Sequence, residues 1–283
     1  MEVIEMAVSI NKVSKEIQEK VIQAYKNNMS LREIEKQFGV TRPTVSKFLE
    51  SQGIKTQKGN HYRKYHHNED YFEVINTEEK AYWLGFIFAD GYIQNHDNLY
   101  GQDAVGITIA EYDREVLEKF KKSINATNPI VLCKRTGEKG ANCVRILLTS
   151  QKTANDLIDK GCYKNKSSIL KPPKKIPQNL IRHFIRGLFD GDGSLIRYEH
   201  KECNSISYQI NFTTTYEMAT WLREQIQIGS TYPEKRCEST WYFGFGGNQQ
   251  VIDFYHYLYD NATIWMDRKY NRFQELLSKY SES

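Results

Sequence analysis

The chain has 283 residues, 40% of them apolar and 13% aromatic, a composition typical of a folded protein with one large domain or two unequal ones. Its longest apolar run lies within residues 83–89, far short of the roughly 20 residues that span a bilayer, and its first residues lack a secretory signal's basic-then-apolar order. Five cysteines without C-x-x-C spacing argue against a disulfide framework or a zinc site, so we expect a cytoplasmic protein. The net charge of +4 is mild, so a polyanion would have to meet local basic patches.

Three short helices are predicted near the N-terminus. Apolar residues recur at helical spacing over residues 14–25, and Ser30 with Glu33 forms a capping box for a second helix that ends at Gly39. A third helix over residues 42–49 follows this glycine-containing turn, an order typical of a helix-turn-helix. A small helical bundle for protein docking is the alternative. The outward-facing candidates for contacts with DNA are Arg42, Thr44, Ser46 and Lys47. We assign residues 1–53 to this domain.

Residues 54–70 are predicted to form a basic linker. The segment 53–68 contains lysines, arginines, histidines and tyrosines but no acid, which would suit contact with a phosphate backbone or, equally, a solvated tether. Its candidate DNA-binding residues are Lys58, Arg63 and Lys64.

The remaining chain is predicted to contain two similar halves, residues 71–178 and 179–283. Strand-like runs at 105–110 and 144–149 alternate with helical stretches at 115–124 and 150–159. The second half repeats this order, with strands at 206–213 and 241–245 and helices at 217–227 and 249–259. In outline each half reads helix-strand-strand-helix-strand-strand-helix-helix.

Each half begins with a helix that ends in an acid and a glycine. The runs Trp83–Gly91 and Ile185–Gly193 each carry two small residues four positions apart, which would let another backbone approach closely. The glycine after each acid suits a left-handed helix end. The acids themselves, Asp90 and Asp192, are electrostatically unfavourable at helix C-termini without a cation. Two such ends side by side would therefore form a cation site.

A second pair of residues repeats with the same offset. Within one residue, the separation of Lys166 and Lys269 equals that of Asp90 and Asp192. Two acids and two lysines that recur together indicate an internal duplication with a pseudo-twofold axis.

The two runs resemble the signature helices of LAGLIDADG homing endonucleases, with Phe88 in place of the acid that Asp190 keeps in the second copy. The resemblance covers residues 71–283 and implies an α+β fold, a duplicated α/β saddle whose antiparallel sheets lie over a two-helix interface, here preceded by a small all-α helix-turn-helix domain. It also implies that Asp90 and Asp192 bind a divalent metal, Mg²⁺ or in its place Mn²⁺, with the carbonyls of Ala89 and Gly191 as further ligands.

The resemblance places Lys166 and Lys269 beside the scissile phosphates, where each could hold a water or stabilise developing charge. Their alternative role is plain contact with phosphate. Base reading would come from side chains on the sheets, with arginine suited to guanine and amides to adenine. The strand register decides which of them face DNA. The candidates are Lys134, Arg135, Arg145, Arg197, Gln209, Asn211, Lys235 and Arg236.

From this resemblance we expect a monomer that acts as a pseudo-dimer and makes a Mg²⁺-dependent double-strand break in a long DNA target, without a membrane partner. The chain lacks the terminal residues of an intact intein, so a free-standing or intron-encoded enzyme is expected. Two alternatives remain. One is a transcription regulator that has lost catalysis, and the other is a maturase that binds intron RNA.

Overall fold

The computed structural model describes residues 14–27, 29–54, 56, 65–94, 103–133, 142–164, 166, 169–202, 205–229, 233–238 and 240–281. The chain forms two compact units, Met1–His66 and His67–Ser283. Within the described ranges, none of the helices combines the length and the apolar character needed to cross a membrane.

The first unit contains three helices, α1 (Lys15–Lys26), α2 (Leu31–Phe38) and α3 (Arg42–Ser51). The predicted capping box is present, since Ser30 accepts from the Glu33 amide while the Glu33 carboxylate accepts from the Ser30 amide. Gly39 ends α2 at φ 68°, in the left-handed region that glycine tolerates. The helices enclose a small core made of Val21, Ile34, Val40, Val45, Phe48 and Leu49. The assignment of a helix-turn-helix to this unit stays a prediction.

The second unit contains two successive sets of helices and strands. The first set is α4 (Glu78–Asp90), β1 (Gly91–Gln94), β2 (Ala104–Ala110), α5 (Arg114–Ser123), β3 (Val131–Cys133), β4 (Cys143–Thr149) and α6 (Gln151–Asp159). The second set is α7 (Ile181–Asp192), β5 (Ser194–His200), β6 (Ser205–Thr214), α8 (Tyr216–Ile226), β7 (Glu234–Lys235), β8 (Trp241–Gly246), α9 (Asn248–Tyr259) and α10 (Asp267–Ser281).

Both sheets are antiparallel and have the same strand order. The first sheet runs β1-β2-β4-β3 and the second runs β5-β6-β8-β7. This repeated order confirms the predicted duplicated α+β fold. The second set also matches the predicted helix-strand outline, whereas the described part of the first set has no counterpart of α10. A single hydrophobic core connects both sets, extending from Tyr71 to Leu276.

The helices α4 and α7 pack against each other through their glycines. A Cβ atom on Gly85 would lie 2.0 Å from the carbonyl oxygen of Phe184, and one on Gly187 would lie 1.9 Å from that of Tyr82. Backbone therefore touches backbone at this crossing, as the spacing of small residues predicted. The same close approach continues at the helix ends, where a Cβ on Gly191 would lie 2.2 Å from the Ala89 Cβ.

The prediction of left-handed glycines after the two acids is wrong. Gly91 has φ −81° and Gly193 has φ −69°, because each helix passes directly into an extended strand. Glycine is needed here for space. A Cβ on Gly91 would lie 2.7 Å from Ile87 Cγ2, and one on Gly193 would lie 2.1 Å from Phe189 Cδ2.

Candidate active site at the ends of the paired helices

Asp90 and Asp192 are the last residues of α4 and α7, whose ends meet. A Cβ built on Gly191 would lie 3.2 Å from the Asp90 Oδ2 atom, so this carboxylate lies against the end of the opposite helix. Asp90 is half-buried, and Asp192 lies at the exposed side of the site. The structure therefore brings together the two acids that the sequence singled out.

The two lysines reach the same helix ends from elsewhere in the chain. The Lys166 ammonium donates to the carbonyl oxygen of Ala89 at 2.8 Å, and Lys269 donates to that of Gly191 at 3.3 Å. Lys269 also donates to the carbonyl oxygens of Phe189 and Gly193. Because each lysine is buried, with 8% of Lys166 and 6% of Lys269 exposed, its ammonium is fixed at a helix C-terminus. Positive charge is favourable there.

The start of α10 positions Lys269. Its two preceding residues are tied to the first set, since Arg268 forms a bidentate ion pair with Asp113 at 2.9 Å and Asp267 pairs with Lys119 at 2.8 Å. Lys119 also donates to the carbonyl oxygen of Trp265 at 3.0 Å. The lysine is thus held by contacts on both sides of the helix interface.

Burial disfavours the charged forms of these groups. Burial and the neighbouring Asp192 raise the pKa of Asp90 to about 6, against the opposing effect of the two lysines. Partial desolvation at the helix end also raises the pKa of Asp192, although part of the side chain is exposed and Lys166 and Lys269 oppose the rise. The pKa of Lys269 falls to about 8 because burial outweighs its attraction to Asp190 and the two acids. A further cation at the two carboxylates would relieve their repulsion.

The donor atoms fit a hard divalent cation. The converging helix ends supply two carboxylates and the carbonyls of Ala89 and Gly191, and oxygen donors of this kind suit Mg²⁺, which retains several waters. Both carbonyls already accept from lysine, but a carbonyl oxygen has two lone pairs. Among the described residues, no group of three or more His, Cys, Asp or Glu residues could hold a metal.

A cavity of about 110 Å³ lies beside Lys166 and Asp192. Its other lining is mainly apolar and includes Phe88, Leu170 and Phe212. Across the pseudo-twofold axis the position of Phe88 is taken by Asp190, which is fully buried. The surroundings of the two acids are therefore unequal.

Asp190 is a structural residue. Its carboxylate accepts from the hydroxyls of Tyr82 and Tyr259, both at 2.9 Å, and from the Met266 amide at 2.8 Å. Burial raises its pKa, and these three donors and Lys269 oppose the rise. All three donors are satisfied by one carboxylate, which leaves Asp190 out of the candidate site.

Sequence reasoning missed a second buried charge, Arg186. Its guanidinium is fully buried and donates to Glu78 at 2.6 Å, to the carbonyl of Leu258 at 2.8 Å and to that of Ile264 at 2.9 Å. The available signal was an arginine inside an apolar helix, since buried arginines require partners.

The strand register sorts the predicted base-reading residues. Arg145, Gln209 and Asn211 lie on the sheet faces that point away from the core, because their strand neighbours Val144 and Ile210 are buried. Gln209 donates to the Tyr242 hydroxyl at 2.8 Å, and this hydroxyl donates to Asn211.

Of the other predicted base-reading residues, Arg236 lies near the outward-facing ones, whereas Arg197 and Lys235 do not. Arg236 stacks on the Tyr242 ring at 4.4 Å, close to Gln209 and Asn211. Arg197 is opposite the buried Tyr208 and Lys235 is opposite Trp241, so both lie at edges of the helix-covered face. The structure does not group these two with the others. Five further candidates lie outside the described residues, namely Lys58, Arg63, Lys64, Lys134 and Arg135.

In the first unit, the four predicted residues lie along α3. Arg42 and Lys47 are exposed, and Arg42 pairs with Glu35 at 3.0 Å. Thr44 and Ser46 are half-buried and form hydrogen bonds with other hydroxyls, Thr41 at 2.8 Å and Thr56 at 2.6 Å. Arg42 and Lys47 therefore present the more accessible charges.

Comparison with solved structures identifies the fold. The LAGLIDADG meganuclease I-AabMI, solved bound to uncleaved DNA, aligns with a TM-score of 0.50 and 13% identity over 70% of this chain and 88% of that one. This chain has the LAGLIDADG meganuclease fold. The meganuclease I-SmaMI, solved with an uncleaveable DNA, gives a TM-score of 0.48 and 14% identity over 70% of this chain and 88% of that one.

At these identities the likeness establishes the LAGLIDADG fold alone, and the role of each residue has to come from the site itself. No protein-family model matches the sequence, and no curated protein matches it.

Proposed function

We propose that the chain is a site-specific DNA endonuclease that uses a divalent metal, Mg²⁺ or Mn²⁺, to make a double-strand break. The observation that carries this proposal is the meeting of Asp90 and Asp192 at two helix ends, each with a buried lysine within reach. Carboxylates whose charged forms are disfavoured by burial gain most from a bound metal cation.

The duplication supports cleavage of both strands. Asp90 with the Ala89 carbonyl and Asp192 with the Gly191 carbonyl form two equivalent donor sets about one pseudo-twofold axis. A DNA duplex also has local twofold symmetry, so each set faces one strand. The single chain thus acts as a pseudo-dimer, and we propose that it works as a monomer.

These four donors would hold the metal. When bound, it supplies Lewis-acid stabilisation of the attacking and leaving oxygens of an in-line displacement at phosphorus. Lys166 and Lys269 orient water near the phosphate and stabilise its developing negative charge, because their ammonium groups are fixed by backbone carbonyls. Their fixed positions avoid reorganisation during the reaction.

Six of the remaining predicted residues are suited to bind DNA. We propose that Arg145, Gln209, Asn211 and Arg236 contact bases or phosphates on the outward faces of the sheets. We further propose that the first unit extends the recognised site through Arg42 and Lys47 of α3, as a helix-turn-helix would.

Selection from a random duplex library tests this proposal. The full chain should yield cleaved molecules that share one long sequence, and cleavage should need Mg²⁺ or Mn²⁺. Asp90→Asn and Asp192→Asn should abolish double-strand cutting while leaving DNA binding within about threefold, since neither change removes a base contact. Asp253→Asn, at an exposed acid on α9, is the matched control and should cut normally.

Two outcomes would favour the alternatives. Sequence-specific binding without cleavage under any metal condition would indicate a regulator. Preference for structured RNA over every selected duplex would indicate a maturase. A helix-turn-helix weighs against that role, because A-form RNA hides its major groove from protein side chains.

A further inference from the structure

The outward faces of the two sheets have diverged in chemistry at equivalent positions. In the first sheet, one row across the strands consists of Tyr92, Gly106 and Leu147, and the next consists of Thr108, Arg145 and Val131. The equivalent rows of the second sheet are Ser194, Asn211 and Gly244, then Thr213, Tyr242 and Glu234. The first face therefore carries Tyr92, Leu147 and Val131 where the second carries Ser194, Gly244 and Glu234.

The apolar side chains on the outward face of the first sheet do not belong to the core. Val105, Ile107 and Val144 fill the core side, whereas Tyr92, Leu147 and Val131 point the opposite way. Val131 is 46% exposed, and the Tyr92 ring lies over Gly106, with its Cζ atom 2.3 Å from where a Cβ would be. An antiparallel sheet that faced only water would carry polar residues at these positions.

Two features indicate that DNA covers this face. Strand β1 starts at Gly91, directly after Asp90, so the face is continuous with a carboxylate that has to reach a phosphodiester. Arg145 lies between Thr108 and Val131, and within the described part of the chain no ion pair engages its guanidinium. This charge suits a polyanion.

In the major groove, only thymine presents an apolar group, its C5 methyl. We propose that Leu147 and Val131 read thymine methyl groups in the half of the target bound by the first sheet. The second sheet reads its half through hydrogen bonds from the polar network around Tyr242. This inference rests on the proposed function and deepens it, because it makes the two half-sites chemically unlike.

Replacing thymine by deoxyuridine tests the inference, since the exchange removes the methyl group and leaves the hydrogen-bonding pattern intact. The substitution is made in one half of the selected target at a time, and binding is measured without divalent metal. In one half, each contacted methyl should contribute about fourfold to affinity, the value expected for one buried methyl group. In the other half, the exchange should change affinity less than about 1.5-fold, since no methyl contact is lost there.

The variant Leu147→Thr assigns the effect to the first sheet. Threonine suits a strand but is shorter and partly polar. The exchange should remove the share of the deoxyuridine sensitivity that comes from the methyl group Leu147 contacts and leave the share that comes from Val131. Asn211→Ala on the second sheet is the control, and it should keep that sensitivity. Unchanged thermal midpoints of both variants would establish that each is folded.

Equal sensitivity of both halves, or undiminished sensitivity of Leu147→Thr, overturns the inference and leaves the nuclease intact. The inference is also overturned if deoxyuridine has no effect and the wild-type chain forms an oligomer that Leu147→Thr dissociates. That result would assign the outward face of the first sheet to a contact between proteins. A chain that binds no duplex at all overturns the proposed function and, with it, this inference.

Discussion

Arg186 of α7 donates a hydrogen bond to the Glu78 carboxylate at the start of α4, at 2.6 Å. This charge pair links the two helices away from the ends that carry Asp90 and Asp192. The Glu78 carboxylate also accepts from the Thr263 amide at 2.7 Å. The same guanidinium donates to the carbonyl of Leu258 in α9 and to that of Ile264 in the segment between α9 and α10. One buried side chain thus joins three parts of the chain.

Replacing this arginine should be strongly destabilising. In Arg186→Met the Glu78 carboxylate keeps the Thr263 amide but loses its charged donor, and two carbonyls lose the guanidinium. Breaking a buried pair in this way costs about 3–5 kcal/mol. Urea denaturation monitored by circular dichroism measures the loss. Arg182→Met on the same helix, where the side chain is only half-buried, should cost less than about 1 kcal/mol. Equal losses in the two variants would contradict the assigned role.

Substitution of Asp190 should lower the stability, whereas substitution of Asp192 should abolish double-strand cleavage. Asp190→Asn removes one acceptor from a group with three donors, so we expect a loss of about 1–3 kcal/mol in stability and retained cutting. Asp192→Asn should retain stability and lose double-strand cutting. Denaturation and plasmid cleavage are measured on both proteins. Loss of cleavage in folded Asp190→Asn would place that carboxylate in the active site.

The contact between α4 and α7 should not tolerate a single methyl group. Gly85→Ala would place a Cβ 2.0 Å from the Phe184 carbonyl oxygen, which cannot move without shifting α7. Overpacking of this kind costs about 3 kcal/mol or more in the free energy of unfolding. Gly246→Ala, where the nearest atom would be at 3.5 Å, is the control and should stay within about 1 kcal/mol. A wild-type thermal midpoint for Gly85→Ala would refute the close crossing.

The raised pKa of Asp90 predicts a pH-dependent effect of Asp90→Asn. The folded pKa of about 6 exceeds the ordinary value of 3.8, so the folded state binds the proton more tightly than the unfolded chain does. The associated stability is complete below the lower value and is lost as the pH rises through the higher one. Without metal, Asp90→Asn should therefore exceed the wild-type stability by about 1–2 kcal/mol at pH 8, allowing for solvent screening.

This advantage should shrink as the pH falls below 6, because the wild-type carboxyl then takes up its proton. Thermal unfolding at pH 8 and pH 5 in the presence of a chelator measures the difference. Asp253→Asn should show none at either pH, since that acid is exposed. A constant gap at both values would mean that Asp90 is not the titrating group.

Removal of the first unit should affect recognition more than chemistry. Each unit has its own core. The residues just after His66 belong to the second unit and are bound to the rest of it, since the Asn68 amide donates to the Ile124 carbonyl at 2.8 Å and Ser150 donates to Glu69 at 2.6 Å. Residues 67–283 should fold, cut DNA with Mg²⁺ and bind the full target on the order of tenfold or more weakly, with a smaller dependence on salt. A folded fragment unable to cut any DNA would contradict this separation.

Much of this arrangement could be predicted from local patterns. The ends of α4 and α7, the small residues on their faces and the repeated lysines follow from spacing along the chain, and the structure brings these residues together. Helical periodicity also located most of the other helices. Strands β1, β3, β5 and β7 were not located. Three of them have only four, three and two residues, too few to show an alternating pattern, and the sequence of β5, SLIRYEH, does not alternate between apolar and polar residues.

The partners of the buried charges could not be predicted because they are distant in sequence. Glu78 and Arg186 are brought together only by the crossing of α4 and α7, and Asp190 depends on Tyr259 at the end of α9 and on Met266 beyond it. The outward direction of a strand residue likewise depends on register. Arg197 and Arg145 look alike in the sequence, yet Arg197 lies on the helix-covered side and Arg145 on the other.

The buried pair of Glu78 and Arg186 also dictates which segments can associate. Two copies of residues 179–283 brought face to face would bury two guanidiniums and two Asp190 carboxyls without Glu78 or Tyr82 to receive them. Two copies of the preceding segment would lack every arginine donor of this interface. If the chain were divided between α6 and α7, we expect each fragment to pair with the other and not with a second copy of itself, so that an obligate heterodimer forms. The duplicated halves have become a matched pair that can no longer exist as identical subunits.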